Sequence, residues 1–383
     1  MPAEVLFWGC LGAVLYSYLA YPLIVALMVR LRGAAQLHAD DTKRPTVSMV
    51  IALYNEEAIL PEKLSNLAAT EYPQGSIEFV LGSDGSTDRT AEILSGWDQP
   101  NRRVLSFVDR RGKTHVLNEL VPASKGDIIV FSDGNTMFEP STVAKLVRWF
   151  ADPRVGAVCG ELKLLPDNRE PGGTGEVAYW MFENWLKKQE SDFQTLLGAT
   201  GGVYAIRRSL FAELPTGRSI ADDFLVPLRI VKQGFRVVYA RDALAYEKTS
   251  GSMKGELDRK ARIGAQNFAG IADFTSLLGP GAGFVAFALW SHKIIRWCVP
   301  LLALIFLASS VVLANDSSFY HGVLLLEIGF LIIAAAGFIA DRRNISLAYA
   351  GLPYYITAMN AALLVGFYRF LTGQQKNTWE ILR

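Results

Sequence analysis

An α/β domain with a mostly parallel sheet, bracketed by membrane-spanning helices, is the architecture this sequence predicts, and three observations predict it. Apolar residues collect at the two ends of the chain, while the stretch from about Arg44 to Tyr246 has the mixed composition of a water-soluble domain. Within that stretch, short apolar runs alternate with helix-length segments, the pattern of a parallel sheet with flanking helices. Acidic landmarks follow three of those runs: Asn55-Glu56-Glu57 after Val47–Leu53, Ser83-Asp84-Gly85 after Ile77–Leu81, and Asp133-Gly134-Asn135 after Asp127–Phe131. Residues at successive strand ends converge on one edge of such a sheet, where these folds bind ligands.

The elements follow in order. The Val47–Leu53 strand leads to a helix from Glu56 to Ala69, capped by Asn55 and ended by Tyr72-Pro73. After Ile77–Leu81, Ser86-Thr87-Asp88 open a helix through Leu94, and a strand at Arg103–Val108 leads through Gly112-Lys113 to a helix at His115–Val121. The Asp127–Phe131 strand, a helix at Ser141–Phe150 and a strand at Val155–Cys159 come next. Thr174–Phe193 reads as a helix on which Tyr179, Trp180, Phe182 and Trp185 either pack in the core or form an interfacial, acceptor-facing surface. Asp222-Asp223 then open a helix that ends near Gly234.

At 383 residues the chain is long enough for a sizeable core plus a second region. A net charge of +1 gives no global pull toward nucleic acid, and no nucleic-acid partner is expected. Val5–Leu31 has no charge before Arg30 and is long enough to cross a bilayer. It lacks the early basic region and cleavage site of a signal peptide, so it reads as a retained helix. Arg30, Arg32, Lys43 and Arg44 at its far end place the following domain in the cytoplasm. Three further spans are predicted at Trp297–Ala314, Val323–Ala340 and Leu347–Leu371, with Lys293, Arg296 and Asp341-Arg342-Arg343 inside. That parity puts the C-terminus outside, although Pro353 and Asn360 leave an irregular or re-entrant last segment open. Lys254–Leu278 reads as amphipathic and suits the cytoplasmic surface of the bilayer. The predicted division is therefore a membrane helix at 1–32, a cytoplasmic domain at 45–250, interfacial helices at 251–290 and three membrane helices at 291–375.

Cys10, Cys159 and Cys298 show no metal-ligand spacing, and the four histidines are scattered, which argues against a zinc site and against a serine–histidine triad. The chemistry falls to the carboxylates. Asp84 can accept hydrogen bonds from a nucleobase or ribose, or simply close a polar turn. Asn55 and Glu56 are open to the same two readings, with helix capping as the plain one. Asp133 and Asn135 place oxygen ligands at positions i and i+2 of a strand end, suited to Mg2+ or Mn2+ and the diphosphate it bridges. A plain Asp-Gly turn is the alternative. Lys113 adds a positive charge near a phosphate unless it is simply solvated. Of Asp222 and Asp223, one can serve as a general base; the alternative is that both merely complement a helix dipole.

In this order the residues resemble the nucleotide-sugar glycosyltransferases of family 2, particularly the membrane-integrated synthases of cellulose, chitin, hyaluronan and poly-N-acetylglucosamine. The resemblance covers about residues 45–270 and the membrane layout. It implies a GT-A type fold, a uridine-diphosphate sugar donor bound by Asn55, Glu56, Asp84, Lys113 and Asp133, and a metal at Asp133 and Asn135. It also implies Asp223 as the base, Arg262 as the cation that meets the leaving diphosphate, and an acceptor side at Gly201, Gly202, Asp222 and Arg259. Two departures stand out. Asn135 replaces an aspartate, and the Gln-x-x-Arg-Trp segment reads Arg259-Lys260-Ala261-Arg262-Ile263, so the aromatic platform under the acceptor is missing. Polysaccharide elongation is the expected function, with single transfer to a lipid acceptor as the alternative. Four spans are few for a polymer channel, so export would call for a homo-oligomer or a partner protein. A dinucleotide oxidoreductase is disfavoured because no glycine-rich turn follows the first strand. A transporter or scaffold without catalysis would leave the ordered carboxylates without a purpose.

Overall fold

A computed structural model describes residues 2–165, 173–248, 253–343, 345 and 347–375, with main chain only at 173–179 and 348. Helix α1 (Pro2–Arg32) precedes the soluble domain. In chain order that domain contains β1 (Val47–Leu53), α2 (Leu60–Ala68), β2 (Ile77–Asp84), α3 (Thr90–Gly96), β3 (Arg102–Phe107) and α4 (Lys113–Ala123). There follow β4 (Ile128–Phe131), β5 (Met137–Phe138), α5 (Thr142–Val147), β6 (Val155–Leu165), α6 (Gly173–Phe193), β7 (Tyr204–Arg207), α7 (Asp222–Lys232) and β8 (Arg236–Lys248). Then come α8 (Met253–Ile271), α9 (Phe284–Leu313), α10 (Ser318–Arg342) and α11 (Ala348–Leu371).

The strands form one sheet in the order β3-β2-β1-β4-β7-β6-β8-β5. β3, β2, β1 and β4 are mutually parallel, and β7 enters antiparallel between β4 and β6. β1 is buried along its whole length, because helices cover both faces of the parallel half. The chain reverses direction across the sheet between β1 and β4, so a crevice opens at their carboxyl ends, where Glu56 and Asp133 emerge.

Two elements differ from the sequence reading. Asn55 does not cap a helix: it sits at φ 52°, and its side-chain oxygen accepts from the Thr87 amide at 2.8 Å. The helix consequently begins only at Leu60, with Pro61 in its first turn. β6 runs on to Leu165 rather than stopping at Cys159. After an irregularity at Gly160/Glu161 it pairs with β8 from Leu244 to Lys248, and its alternating Glu161, Leu162, Lys163 and Leu164 form a half-buried strand.

Four helices are long and apolar enough to cross a membrane: α1, α9, α10 and the last segment, Tyr349–Leu371. This is a membrane protein. The second of them starts at Phe284, not Trp297, so the predicted boundary at 290/291 falls inside a continuous helix. Arg296, one of the charges that suggested a flank, is buried instead. Arg296 and His292 pair with Glu183, His292 also meets Glu190 at 2.7 Å, and Tyr21 donates to Glu190 at 2.6 Å. Their carboxylate partners lie on α6, about a hundred residues earlier, beyond the reach of local pattern.

The contacts of the last helix bear on the parity. At the end of the bundle remote from the soluble domain, Phe7 packs on Phe306 and Tyr320 with ring centroids 4.7 and 5.0 Å apart. From there α10 returns over 25 residues, about 37 Å. α11 starts beside that returning end, with Tyr354 against Phe338 and Asp341. It finishes against α8: Phe367 packs on Phe268 at 5.0 Å, and Arg369 lies 3.6 Å from Asp258. α11 thus meets α10 near its start and α8 near its end, contacts that a helix returning to the soluble-domain side would make. A cysteine placed at Thr372 in a cysteine-free background should react with an impermeant maleimide from the same side as one at Ser95. Labelling from opposite sides would show that α11 crosses.

Candidate active site

Secondary structure brings the functional side chains to one place for local reasons. Lys113 opens α4 after Gly112, Asp133 follows the buried run Ile128–Phe131, Asp222 and Asp223 form the first turn of α7, and Arg262 lies mid-way along α8. They line a single cavity of about 930 Å3, together with Glu56, Asn135, Gly201, Gly202, Glu247 and Arg259.

Lys113 is the hub. Its Nζ lies 2.9 Å from Asp133 Oδ1 and 3.0 Å from Asp222 Oδ1. Burial alone would depress the ammonium, but Asp133 and Asp222 hold its pKa above the ordinary lysine value. Burial likewise opposes ionisation of Asp133, and the Lys113 charge overcomes it, so that carboxyl sits below the usual range. Asp222 is buried and accepts from the hydroxyl of Tyr204 at 3.0 Å, and Tyr204 in turn stacks on Phe131.

Asp223 has the opposite environment. Burial, then the Asp222 charge, push its carboxyl up to about 6; Lys113 and the Gly201 amide moderate the rise. The Gly198–Gly202 loop wraps it closely. Its main-chain oxygen accepts from the Ala199 amide at 2.7 Å, and a Cβ at Gly201 would stand only 3.0 Å from Asp223 Oδ2. Adjacent aspartates are thus divided: Asp222 is held by a lysine and a tyrosine, and the Asp223 carboxyl is raised.

On α8, burial and the neighbouring Arg259 hold the Arg262 guanidinium below the ordinary arginine value, against the pull of Asp133 and Asp223. Arg259 is held by Glu256 through two contacts of 2.8 and 3.0 Å. Ile263 lines the cavity where the resemblance has a tryptophan, and Trp180 and Trp297 line it as well. The indole of Trp297 is braced edge-on by Phe224 and Phe268.

Two sequence-derived candidates stay off the cavity wall. Asp84 is fully buried and accepts from the amides of Arg111 and Gly112 at 2.7 and 2.8 Å, which fixes the loop that presents Lys113. Asn55 is engaged with Thr87. Beside them Arg110 stacks 3.7 Å from the Tyr54 ring centre, with its Nε and Nη2 buried and unpartnered among the described residues. Glu56 does reach the cavity, its own amide donating to Thr90 Oγ1 at 2.7 Å.

Two further residues emerge from the structure alone. Lys63 is wholly buried under the Asp133 turn, with Nζ on Ser132 Oγ at 2.8 Å and on the Thr136 carbonyl. Burial lowers it to about 7. Glu247, at the end of β8, accepts from Asn135 Nδ2 at 3.0 Å. Burial first, then the Asp133 charge, raise its carboxyl. Nothing in the sequence marks Glu247 beyond the alternation of its strand.

Among the described residues no group of three His, Cys, Asp or Glu side chains has metal-binding geometry. Mg2+ and Mn2+ need less from a protein when phosphates and water complete the shell. Asp133, Asn135 and Glu247 offer hard oxygens, and the repulsion between Asp133 and Glu247 is what a dication would relieve. The residues present fit the ion.

A sheet of this topology, with carboxylates ordered at the crevice, is a GT-A-like glycosyltransferase fold, and comparison with known proteins agrees. Residues 48–214 match the family described as Glycosyl transferase family 2. It is 31% identical over 162 residues to a beta-monoglucosyldiacylglycerol synthase of Nostoc sp. strain PCC 7120, covering 41% of this chain and 34% of that protein. It is 25% identical over 226 residues to a poly-beta-1,6-N-acetyl-D-glucosamine synthase of Staphylococcus aureus strain COL, covering 56% of this chain and 53% of that one. The chain thus spans about a third of the first relative's length and about half of the second's. The fold matches the structure of a mannosyltransferase from Pyrobaculum calidifontis in complex with GDP-Man and Mn2+, at 24% identity and a TM-score of 0.74, covering 97% of this chain and 98% of that one.

Proposed function

We propose that this protein transfers a sugar, with inversion, from a nucleoside-diphosphate sugar to an acceptor held at the cytoplasmic face of a membrane. The observation that carries the reading is the division of Asp222 from Asp223: a carboxyl raised to about 6, facing the cavity, is poised to take a proton from an attacking hydroxyl. Lys113 and Arg262 offer the positive charge that a departing diphosphate needs. Asp84 positions the Lys113 loop, and the Tyr54–Arg110 stack beside it is a platform for the base, uridine in the first instance. Asp133, Asn135 and Glu247 would hold Mg2+ or Mn2+, which supplies charge neutralisation at the diphosphate when bound. Gly201, Gly202, Asp222 and Arg259 form the acceptor side.

Both polymer and lipid acceptors have precedent among the relatives. A lipid is favoured because one of the cavity's wall aromatics, Trp297, stands on a membrane-grade helix, while residue 263 is isoleucine. Single transfer to a lipid is therefore the preferred form, and elongation of a polysaccharide, with an oligomer or export partner, is the second.

The test is to incubate purified protein with UDP- and GDP-sugars, with and without Mn2+ or Mg2+, and to follow nucleotide release together with product size. A single glycolipid band supports lipid transfer, and a ladder supports elongation. No turnover of any donor would sink the enzyme reading. Glu247→Gln should weaken Mn2+ binding about tenfold, read as the midpoint of a metal titration of nucleotide affinity. An unchanged midpoint would remove Glu247 from the metal set.

A further inference from the structure

The buried face of α2 is Leu60, Lys63, Leu64 and Leu67, the i, i+3, i+4, i+7 stripe of an amphipathic helix with a lysine in one apolar place. Packing alone calls for leucine or methionine at 63, because an amine taken from water needs polar partners to offset its desolvation. Those partners are specific. Lys63 Nζ donates to Ser132 Oγ at 2.8 Å and to the Thr136 carbonyl, and lies 5.3 Å from the centre of the Phe138 ring. Two acceptors need only two N–H groups, which the amine supplies whether charged or neutral.

Ser132 and Thr136 stand on either side of Asp133-Gly134-Asn135, so one amine clasps both ends of the turn that carries Asp133 and Asn135. Asn66, one residue short of a helical turn further along α2, repeats the device. Its Nδ2 donates to the Phe138 carbonyl at 2.8 Å, and its Oδ1 accepts from the Phe138 amide at 2.9 Å. The turn does little to hold itself. Its closing main-chain bond, from the Thr136 amide to the Asp133 carbonyl, is long at 3.3 Å. The Thr136 hydroxyl is buried and has no partner among the described residues. Support therefore comes from below, through α2.

We propose that Lys63 is a positioning residue of the donor site: by tying Ser132 to Thr136 it sets the spacing and aim of Asp133 and Asn135, and with them the affinity for Mg2+ or Mn2+. The proposal deepens the transfer reading and rests on it for the metal. Groups that orient the ligands of a metal site, without being ligands themselves, carry a substantial share of its affinity.

The experiment uses the full chain, purified in an uncharged maltoside detergent, and has two arms. In the first, calorimetry follows UDP and GDP affinity as Mn2+ is titrated. Lys63→Met should raise the Mn2+ midpoint about tenfold and leave metal-free nucleotide affinity unchanged. Ser132→Ala keeps the lysine, opens one end of the clasp and should move the midpoint in the same direction by about threefold. A merely structural lysine would lower the folded fraction without moving the midpoint of the molecules that remain folded. In the second arm, hydrogen exchange is read by mass spectrometry on protein free of metal and nucleotide. Lys63→Met should speed exchange in the segment 133–136 and spare β1 and β4. Unchanged exchange in that segment, or an unmoved midpoint in both variants, would overturn the proposal. A wild type whose UDP and GDP affinities ignore Mn2+ would sink the metal set of the transfer reading, while faster exchange in Lys63→Met would still uphold the hold of Lys63 on the turn.

Discussion

Replacing Asp223 with asparagine should lower sugar transfer by about 10²- to 10⁴-fold while leaving nucleotide affinity within about twofold, because a general base acts on the acceptor hydroxyl and not on the donor. The wild-type rate should fall as pH drops below about 6, where the Asp223 carboxyl takes up its proton. A single-turnover pH profile with donor saturating reads this limb directly, and a flat profile between pH 5 and 8 would remove Asp223 from the role. The same substitution should stabilise the fold. A folded-state value of about 6, above an unfolded value near 3.8, means that Asp223 contributes stability below the lower value and loses it as pH rises through the upper one. Asp223→Asn should therefore raise the melting temperature at pH 7.5 and have little effect at pH 4. Loss of activity with gain of stability is a combination that simple misfolding does not produce.

The second large effect is expected at Lys113. Lys113→Met leaves Asp133 and Asp222 without their shared cation, with Asp223 beside them, and should cost about 3 kcal/mol of stability. The pH dependence has a definite sign. Asp133 is depressed, so its share of the stabilisation is present above the unfolded carboxyl value and is lost as pH falls. Lys113 is raised, so its share persists until well above neutrality. The deficit of the mutant should thus be largest near neutral pH and shrink toward pH 3, as followed by thermal melts. Because the Lys113 charge also restrains Asp223, the acid limb of any residual activity should move above 6. Lys113→Arg should restore most of the stability. Equal melting temperatures for wild type and Lys113→Met at pH 7 would show that the three-way contact carries little.

Much of this architecture is legible in the sequence, because strands buried on both faces read as continuous apolar runs and the carboxylates that end them read as punctuation. Val47–Leu53 and Ile128–Phe131 are such runs, and the residues after them do line one crevice. Roles decided by distant partners are not legible. Asp84 looks like a ligand contact from its turn, but its oxygens are engaged by amides some thirty residues later. Lys293 and Arg296 look like a membrane flank, although Arg296 meets a carboxylate on α6. The end of β8, where Glu247 turns to Asn135, carries only a strand's alternation, since long-range register and not composition brings the two together. The Tyr179 side chain, one of the predicted interfacial aromatics, lies outside the described residues.

The contact between α11 and α8 carries a physical consequence of its own. A Cβ at Gly366 would stand 2.5 Å from the Ala261 carbonyl and 3.0 Å from the Ala265 amide, so the two helix backbones touch one residue from Arg262. Arg262, the cation proposed to face the leaving group, is thereby braced from outside by a membrane-grade helix that packs on α10 as well. Lateral pressure and bilayer thickness then become inputs to turnover. The same folded protein should run at different speeds in thin and thick bilayers, with no change in the fraction that binds nucleotide.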